Sequence, residues 1–243
     1  MTKVKYYDII PSDRCVYTIA KSTNGESMYK KFFKRLFDIV FSLLGIAVLA
    51  LPMLIIVLVI RIDSKGCAVF SQTRVGLHKK HFNIYKFRTM YIETPMNVPT
   101  KDLQDPRKWI TKPGRILRKT SLDELPQLFN ILKGEMSFVG PRPVIPFEDD
   151  LIAQRDTNGS NDVLPGLTGW AQVNGRDELD SVVKARFDGE YVRELERGFF
   201  PAIGMDLKCV FKTVKSVVKK EGILDNYYYE NKDEQTKEET KVG

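Results

Sequence analysis

From Ile39 to Ile60 the chain runs 22 residues without a charge. As a straight helix such a run covers roughly 33 Å, enough to cross a bilayer. It starts too late, is too long and lacks the small-residue cleavage site of a secretory signal. Pro52 divides it into 13 residues before and 8 after, about 20 Å and 12 Å, and neither piece spans a bilayer alone. Basic residues flank both sides: Lys30, Lys31, Lys34 and Arg35 before, Arg61 and Lys65 after. Basic residues at both ends favour keeping both ends on the cytoplasmic side. Two readings are compatible with these residues: a helix that breaks at Pro52 and returns to the face it entered, or a kinked helix that crosses. A break at membrane depth frees backbone groups, which protein or a side chain such as Ser42 must satisfy.

A second membrane signal lies near the other end. Leu207, Val210, Phe211, Val214, Val217 and Val218 recur at helical spacing, with Lys208, Lys212, Lys215 and Lys219 on the other side. A basic amphipathic helix of this kind lies in an anionic lipid interface, and an ordinary core-facing helix with a solvated lysine face has the same pattern.

Around these elements the sequence divides into a peripheral segment (1–28), the membrane element (29–64), a catalytic region (65–223) and a disordered tail (224–243), the last rich in Glu, Lys and Thr from Tyr229 onward. Alternation over residues 68–75 and 81–88 predicts two strands joined across Gly76 to Lys80, a hairpin that makes Gln72, Arg74, Lys86 and Arg88 available to ligands. A polar, Pro-containing loop is expected from Tyr91 to Trp109. Helices are expected near 113–133, 146–156 and 180–196, with a turn-rich segment from Leu164 to Arg176. The fold class is α/β, mostly helical with a small β-hairpin.

With 38 Lys and Arg against 31 Asp and Glu, the formal charge of +7 suits phosphorylated small molecules, anionic lipid or nucleic acid. Nucleic acid ranks last, since the basic residues are dispersed and no base-stacking motif accompanies them. Cys15, Cys67 and Cys209 are odd in number and widely spaced, so neither a disulfide framework nor a zinc site is indicated. His78 and His81 lack an acidic or Cys partner nearby, which argues against a metal there.

The chemistry points to Asp123 and Glu124. Ser121-Leu-Asp-Glu124 has the form of a capping box, with Ser121 as N-cap and Glu124 reaching back. Against that, Pro126 lies just past the first turn and removes a backbone donor. Lys112, Arg115, Arg118 and Lys119 precede the pair, and Arg142 follows in a turn fixed by Gly140, Pro141 and Pro143. Adjacent carboxylates among cations can hold a divalent metal and supply a nucleophile for phosphorus, and arginine's planar fork suits phosphate oxygens. Capping and metal-phosphate chemistry are both consistent with this stretch.

Six motifs occur in order: Lys34-Arg-Leu-Phe-Asp38; the Pro-containing apolar run; Tyr85-Lys-Phe-Arg-Thr-Met90; Leu117 to Gln127; Gly140-Pro-Arg-Pro143; and Pro165-Gly-Leu-Thr-Gly-Trp-Ala-Gln-Val-Asn-Gly-Arg176. Together they resemble the bacterial monotopic phosphoglycosyl transferases, from about residue 29 to Ile223. A Leu-Pro pair stands where that family often has Ser-Pro at the membrane break.

The resemblance implies a re-entrant membrane helix and interfacial amphipathic helices in the bacterial inner membrane, with the catalytic domain facing the cytoplasm. It implies transfer of a sugar 1-phosphate from a UDP-sugar to undecaprenyl phosphate, the initiating step of a polysaccharide or glycoconjugate. Carried onto this chain, Asp123 is the nucleophile, Glu124 helps hold Mg²⁺, and Arg118 and Arg142 bind phosphate. Gln172, Asn174 and Arg176 stand toward the nucleotide-sugar end. A membrane-bound nucleotide-sugar hydrolase and a non-catalytic assembly scaffold are the alternatives. The sugar is not legible, and a homodimer is one option for the oligomeric state.

Overall fold

The computed structural model describes residues 29–95, 105–175 and 179–219. The predicted peripheral segment, the tail and Arg176 lie outside the described residues. The chain opens with a π-helical turn, Tyr29–Phe33, which leads into α1, Lys34–Asp63, a 30-residue helix. It continues as α-helix through Pro52 without the interruption expected there. Proline brings no N–H to the ladder, so the carbonyl of Val48, one turn earlier, loses its usual partner.

One face of α1 packs against the rest of the chain along its whole length. Near its start, Asp38 accepts hydrogen bonds from the Ser137 hydroxyl and the Phe138 N–H, both 3.0 Å. Arg35 donates to the carbonyls of Ile131 and Leu132 at 2.6 and 2.8 Å. In the middle, Gly45 lies against Leu128, where an added Cβ would sit 3.3 Å from Cδ1. Toward the end, Met53 and Ile60 join Ala68, Phe87 and Leu117 in one apolar cluster. The opposite face exposes Val40, Phe41, Leu44, Val48, Leu51, Ile55, Leu58 and Ile62.

β1 (Val69–Val75) and β2 (His81–Phe87) form the predicted antiparallel hairpin, in a register pairing Val69 with Phe87 and Val75 with His81. At its tip His78 and Lys79 both take left-handed backbone, with φ of 53° and 60°. A short helix α2 (Pro106–Trp109) precedes α3 (Lys112–Thr120). The Thr111 side chain caps α3 by accepting from the Gly114 N–H at 3.0 Å.

The single helix expected over 113–133 is three pieces: α3, a 3₁₀ turn at Leu122–Glu124, and α4, Gln127–Lys133. Ser121 makes the break. Its backbone is left-handed (φ 57°), and its N–H closes α3 on the carbonyls of Leu117 and Arg118. The expected capping box is therefore absent: Ser121 ends a helix, and its side chain makes no cap bond to the turn that follows. Pro126 then takes the cap position of α4, where a missing N–H costs nothing.

Two three-residue strands, β3 (Ser137–Val139) and β4 (Gly166–Thr168), pair in parallel, so the described residues form two two-stranded sheets and not the hairpin alone. The close approach behind this pairing needs glycine. A Cβ on Gly140 would lie 2.3 Å from the Leu164 carbonyl oxygen, and one on Gly166 would lie 2.1 Å from the Gly140 nitrogen. Helices α5 (Asp149–Asp156) and α6 (Ser181–Glu196) match their predicted positions, α5 starting three residues later than expected and α6 capped by the Asp180 carboxylate on the Val183 N–H.

The last helix, α7 (Phe199–Lys219), turns Ala202, Met205 and Cys209 into the core. Its Asp206 carboxylate collects Tyr29 Oη and Lys34 Nζ at 2.7 Å and Tyr191 Oη at 2.9 Å, tying the start of α1 to the far end of the chain. The stripe of Leu207, Val210, Phe211, Val214 and Val217 is exposed, Phe211 by 71%. Those side chains face away from the core, which excludes the ordinary core-facing reading of that stripe. The architecture is mostly helical with small sheets, and α1 is one helix long and apolar enough to cross a membrane.

Candidate active site

The 3₁₀ turn that carries Asp123 and Glu124 lies across β2. Strand β2 is fixed to α4 by Asn130, whose side chain accepts from the Tyr85 N–H at 3.0 Å and donates to the Asn83 carbonyl at 2.7 Å. That bridge places Lys86 beside the turn, and its Nζ donates to Glu124 Oε1 at 2.6 Å. Arg142 reaches the same oxygen at 4.0 Å. The expected gathering of Asp123, Glu124, Lys86 and Arg142 is thus present. Arg118 enters from α3, its Nε donating to Thr89 Oγ1 at 2.9 Å, and its charge bears on Asp123.

The two adjacent carboxyls sit in opposite electrostatic states. Burial raises the Asp123 carboxyl most strongly and Glu124 adds to it, while Lys86 and Arg118 pull the other way; the balance is a pKa pushed up to about 6. Burial also acts on Glu124, but Lys86 and Arg142 outweigh it and hold its carboxyl below the usual range. Glu124 is therefore a fixed anion with one oxygen already paired. Asp123 enters no salt bridge among the described residues, and proton loss leaves its oxygens available.

Arg142 projects from a turn whose backbone is held at each step. Arg74 of β1 donates to the Pro143 carbonyl at 3.3 Å and the Val75 N–H to the Val144 carbonyl at 2.9 Å. The Arg74 side chain sits between this turn and Gln72, and burial together with the nearby Arg142 charge lowers its pKa to about 10. Lys86, Arg74, Arg118 and Arg142 around two carboxyls leave a surplus of positive charge, the condition for receiving an anion such as a diphosphate.

Other predicted residues stand elsewhere. Arg88 is buried and holds the C-terminal end of α1, donating to the Lys65 carbonyl and to Ser64 O and Oγ at 2.8 and 2.9 Å. That commits its guanidinium to a helix terminus, in contrast to the substrate contact expected of it. Gln172 donates to the Leu167 carbonyl at 3.3 Å and buries Oε1 without a partner. Asn174 donates to the Trp170 carbonyl and accepts from Lys212 Nζ, both 2.7 Å, which fastens the segment after β4 to α7. A separate cleft of about 400 Å³, lined by Trp170, Glu190, Arg193, Glu194, Arg197 and Met205, includes none of the predicted site residues.

Among the described residues no three His, Cys, Asp or Glu side chains gather as a metal cage. One or two carboxylates completed by water and substrate phosphates is the usual way of holding Mg²⁺. The carboxylates of Glu124 and the neighbouring Asp123 fit that pattern.

A hairpin and a Pro-bounded turn thus frame an acidic pair in a cationic setting beside a long apolar helix, the layout of a membrane-associated phosphate-handling site. The chain belongs to the bacterial sugar transferase family, whose model matches residues 29–220. It is 40% identical over 194 residues to the undecaprenyl-phosphate glucose phosphotransferase of Komagataeibacter xylinus, covering 75% of this chain and 35% of that protein. It is 39% identical over 190 residues to the uncharacterized sugar transferase EpsL of Bacillus subtilis (strain 168), covering 78% and 89%. With the undecaprenyl-phosphate galactose phosphotransferase of Salmonella typhimurium (strain LT2) it shares 39% identity over 208 residues, covering 79% and 42%. The match therefore spans under half of the two long relatives and most of the short one.

Proposed function

We propose that this chain is an enzyme that transfers a sugar 1-phosphate from a UDP-sugar to undecaprenyl phosphate and releases UMP. The names of the relatives support undecaprenyl phosphate and a sugar as the partners of a phosphotransfer. The observation that carries the mechanism is the unlike state of two adjacent carboxyls. A paired, low-pKa Glu124 stands beside an Asp123 that enters no salt bridge among the described residues and titrates near 6, which makes it ionised yet poorly stabilised at neutral pH.

In this scheme Arg142 and Arg118 bind the phosphate oxygens of the donor. An Asp123 oxygen attacks the phosphorus that carries the sugar, the bond from that phosphorus to the bridging oxygen breaks, and UMP departs with the bond's electrons. An oxygen of the lipid phosphate then attacks the same phosphorus and expels the Asp123 carboxylate. Neither displacement requires a general base, since each attacking oxygen is already anionic. Mg²⁺ held at Glu124 would supply charge neutralisation on the diphosphate.

The path of α1 supports an anchor whose two ends share one side of the membrane, and the basic residues flanking the apolar run at both ends favour the cytoplasmic side. At 30 residues α1 is about 45 Å long. The body touches it from Asp38 to Ile60, whereas a perpendicular crossing would draw its middle about 30 Å through hydrocarbon, away from that body. Its exposed outer face and the exposed stripe of α7 then enter lipid, each large side chain gaining about 1.5–3 kcal/mol on full burial.

The test is UMP release across UDP-sugars with undecaprenyl phosphate and Mg²⁺, with intact-mass detection of a phosphosugar adduct when lipid is withheld. Adduct formation lost in Asp123→Asn is the expected result. Free sugar phosphate as product would indicate a hydrolase, and no release from any donor would sink the proposal.

A further inference from the structure

The Gly-Pro-Arg-Pro turn is held at four consecutive carbonyls by donors from separate parts of the chain. Pro141 O accepts from the Gly166 N–H at 2.9 Å, Pro143 O from Arg74 and Val144 O from the Val75 N–H. The remaining one, Arg142 O, accepts from Nη1 of Arg155 at 3.0 Å. Three of these donors belong to the β4 backbone or to β1. The fourth is a side chain from α5 with no other task in this turn.

Arg155 is itself immobilised. Its Nε and Nη2 both donate to Asp188 Oδ2 of α6, at 2.8 and 2.6 Å, with side chains 6% and 1% exposed. Well-packed apolar residues commonly replace such a buried ion pair at no loss of stability, so stability alone gives little reason for it. What an apolar pair cannot supply is a donor at the Arg142 carbonyl. Pro143 follows that carbonyl and narrows the rotation of this peptide, but it brings no N–H to anchor it, so the hydrogen bond that holds the plane comes from Arg155. The rotation of that plane sets the direction in which the Arg142 side chain leaves the backbone.

We infer that Arg155, locked by Asp188, is a positioning residue that aims Arg142 at the phosphate of the nucleotide. This rests on the phosphate-binding role given to Arg142 above. A positioning residue acts only through the group it positions, so its effect disappears once that group is gone.

The experiment is a double-mutant cycle on the full chain in detergent, read as UMP affinity by calorimetry. Arg142→Ala weakens UMP by about 10- to 100-fold, as loss of a charge-assisted contact does. The paired change Arg155→Met with Asp188→Leu removes both buried charges together. It leaves the melting temperature within a few degrees while weakening UMP about 3- to 10-fold, and it costs less than about 2-fold in the Arg142→Ala background. Arg155→Lys keeps the charge but cannot serve both acceptors with a planar fork, and it takes the same place in the cycle if the paired variant fails to fold. Equal losses in both backgrounds, or unchanged affinity in the first, overturn the inference. Turnover on the same samples separates the two readings. A coupled cycle without sugar-phosphate transfer overturns the reaction and keeps this inference; transfer with an additive cycle does the reverse; a chain that binds no UMP overturns both.

Discussion

The two turns that build the site are held in opposite ways. The turn at Leu122–Glu124 hangs between a left-handed Ser121 and Pro126, and from outside it is oriented by charge, the Lys86 ion pair on Glu124 and the longer approach of Arg142 to the same oxygen. The turn at residues 140–143 is fixed by backbone and buried guanidinium donors on successive carbonyls. The carboxylate side is set by charge and the cationic side by backbone geometry. Under the proposed mechanism, a carboxylate that forms and releases a bond to phosphorus gains from weak ties, whereas an arginine that receives phosphate gains from having its position fixed beforehand.

The comparison breaks most sharply at its charged end. Asp123→Asn keeps shape and removes the proposed nucleophile, so turnover is expected to fall by at least about 10³-fold with UDP-sugar binding retained. A quantitative UMP-release assay checks it, and activity within ten-fold of the parent would remove Asp123 from the chemistry. At the geometric end, Gly166→Ala puts a methyl 2.1 Å from the Gly140 nitrogen and 2.3 Å from the Thr168 carbonyl oxygen. Backbone cannot yield there as a side chain would, and a loss of about 3 kcal/mol or more is expected in chemical denaturation. A melt unchanged by that substitution would show that the turn is less tightly held than the hydrogen bonds imply.

The same contrast explains what the sequence made legible. Alternation marked both strands of the hairpin, and helical patterning marked α6 to within a residue of its start, because each signal is local. The capping-box pattern at Ser121 misled. A Ser three residues before a Glu has the same form whether the Ser opens a helix or closes one, and the left-handed backbone that decides it depends on how α3 meets the turn. Strands β3 and β4 are three residues each, too short for a period to register, and are held by glycine contacts between distant segments. Arg88 sits in a motif rich in basic residues, yet the carbonyls that claim it belong to Ser64 and Lys65, outside that motif. Asn130, which brings Lys86 to Glu124, and the Arg155–Asp188 pair, 33 residues apart, carry no sequence signal that joins them. The closeness of the acidic pair to Lys86 and Arg142 was anticipated from residue type, carboxylates among cations; their supports were not, because many residue types can support a turn.

Lys86→Met probes the electrostatic tie alone. Lys86 lowers both carboxyls, so its removal raises both, and the acid limb of the pH profile of kcat/KM moves upward by about one unit. The expected fall in kcat/KM at pH 7 is about 2-fold, the loss of ionised Asp123 that such a shift brings. The same substitution leaves the 140–143 turn intact, so the pH-independent plateau at high pH recovers most of the activity. A drop equal at every pH would mean that Lys86 contacts substrate and does more than tune Glu124.

The smallest effect concerns stability. Asp123 has a folded pKa of about 6, above the 3.8 of a free side chain. A raised carboxyl pKa means that the folded state binds the proton more tightly than the unfolded state. Its favourable contribution is therefore fully present below about pH 3.8 and is lost as pH rises through about 6, so at neutral pH the ionised Asp123 is a net burden on the fold. Asp123→Asn removes that burden. Discounting for partial exposure, the variant should be more stable than the parent by about 1–2 kcal/mol at pH 8. The gap should shrink steadily as the pH falls from 6 toward 4. Denaturant melts of the two proteins at pH 4.5 and pH 8 provide the measurement. A gap that stays constant or widens in acid would mean that Asp123 is stabilised as an anion and is held as firmly as Glu124, which would erase the distinction between the two carboxyls.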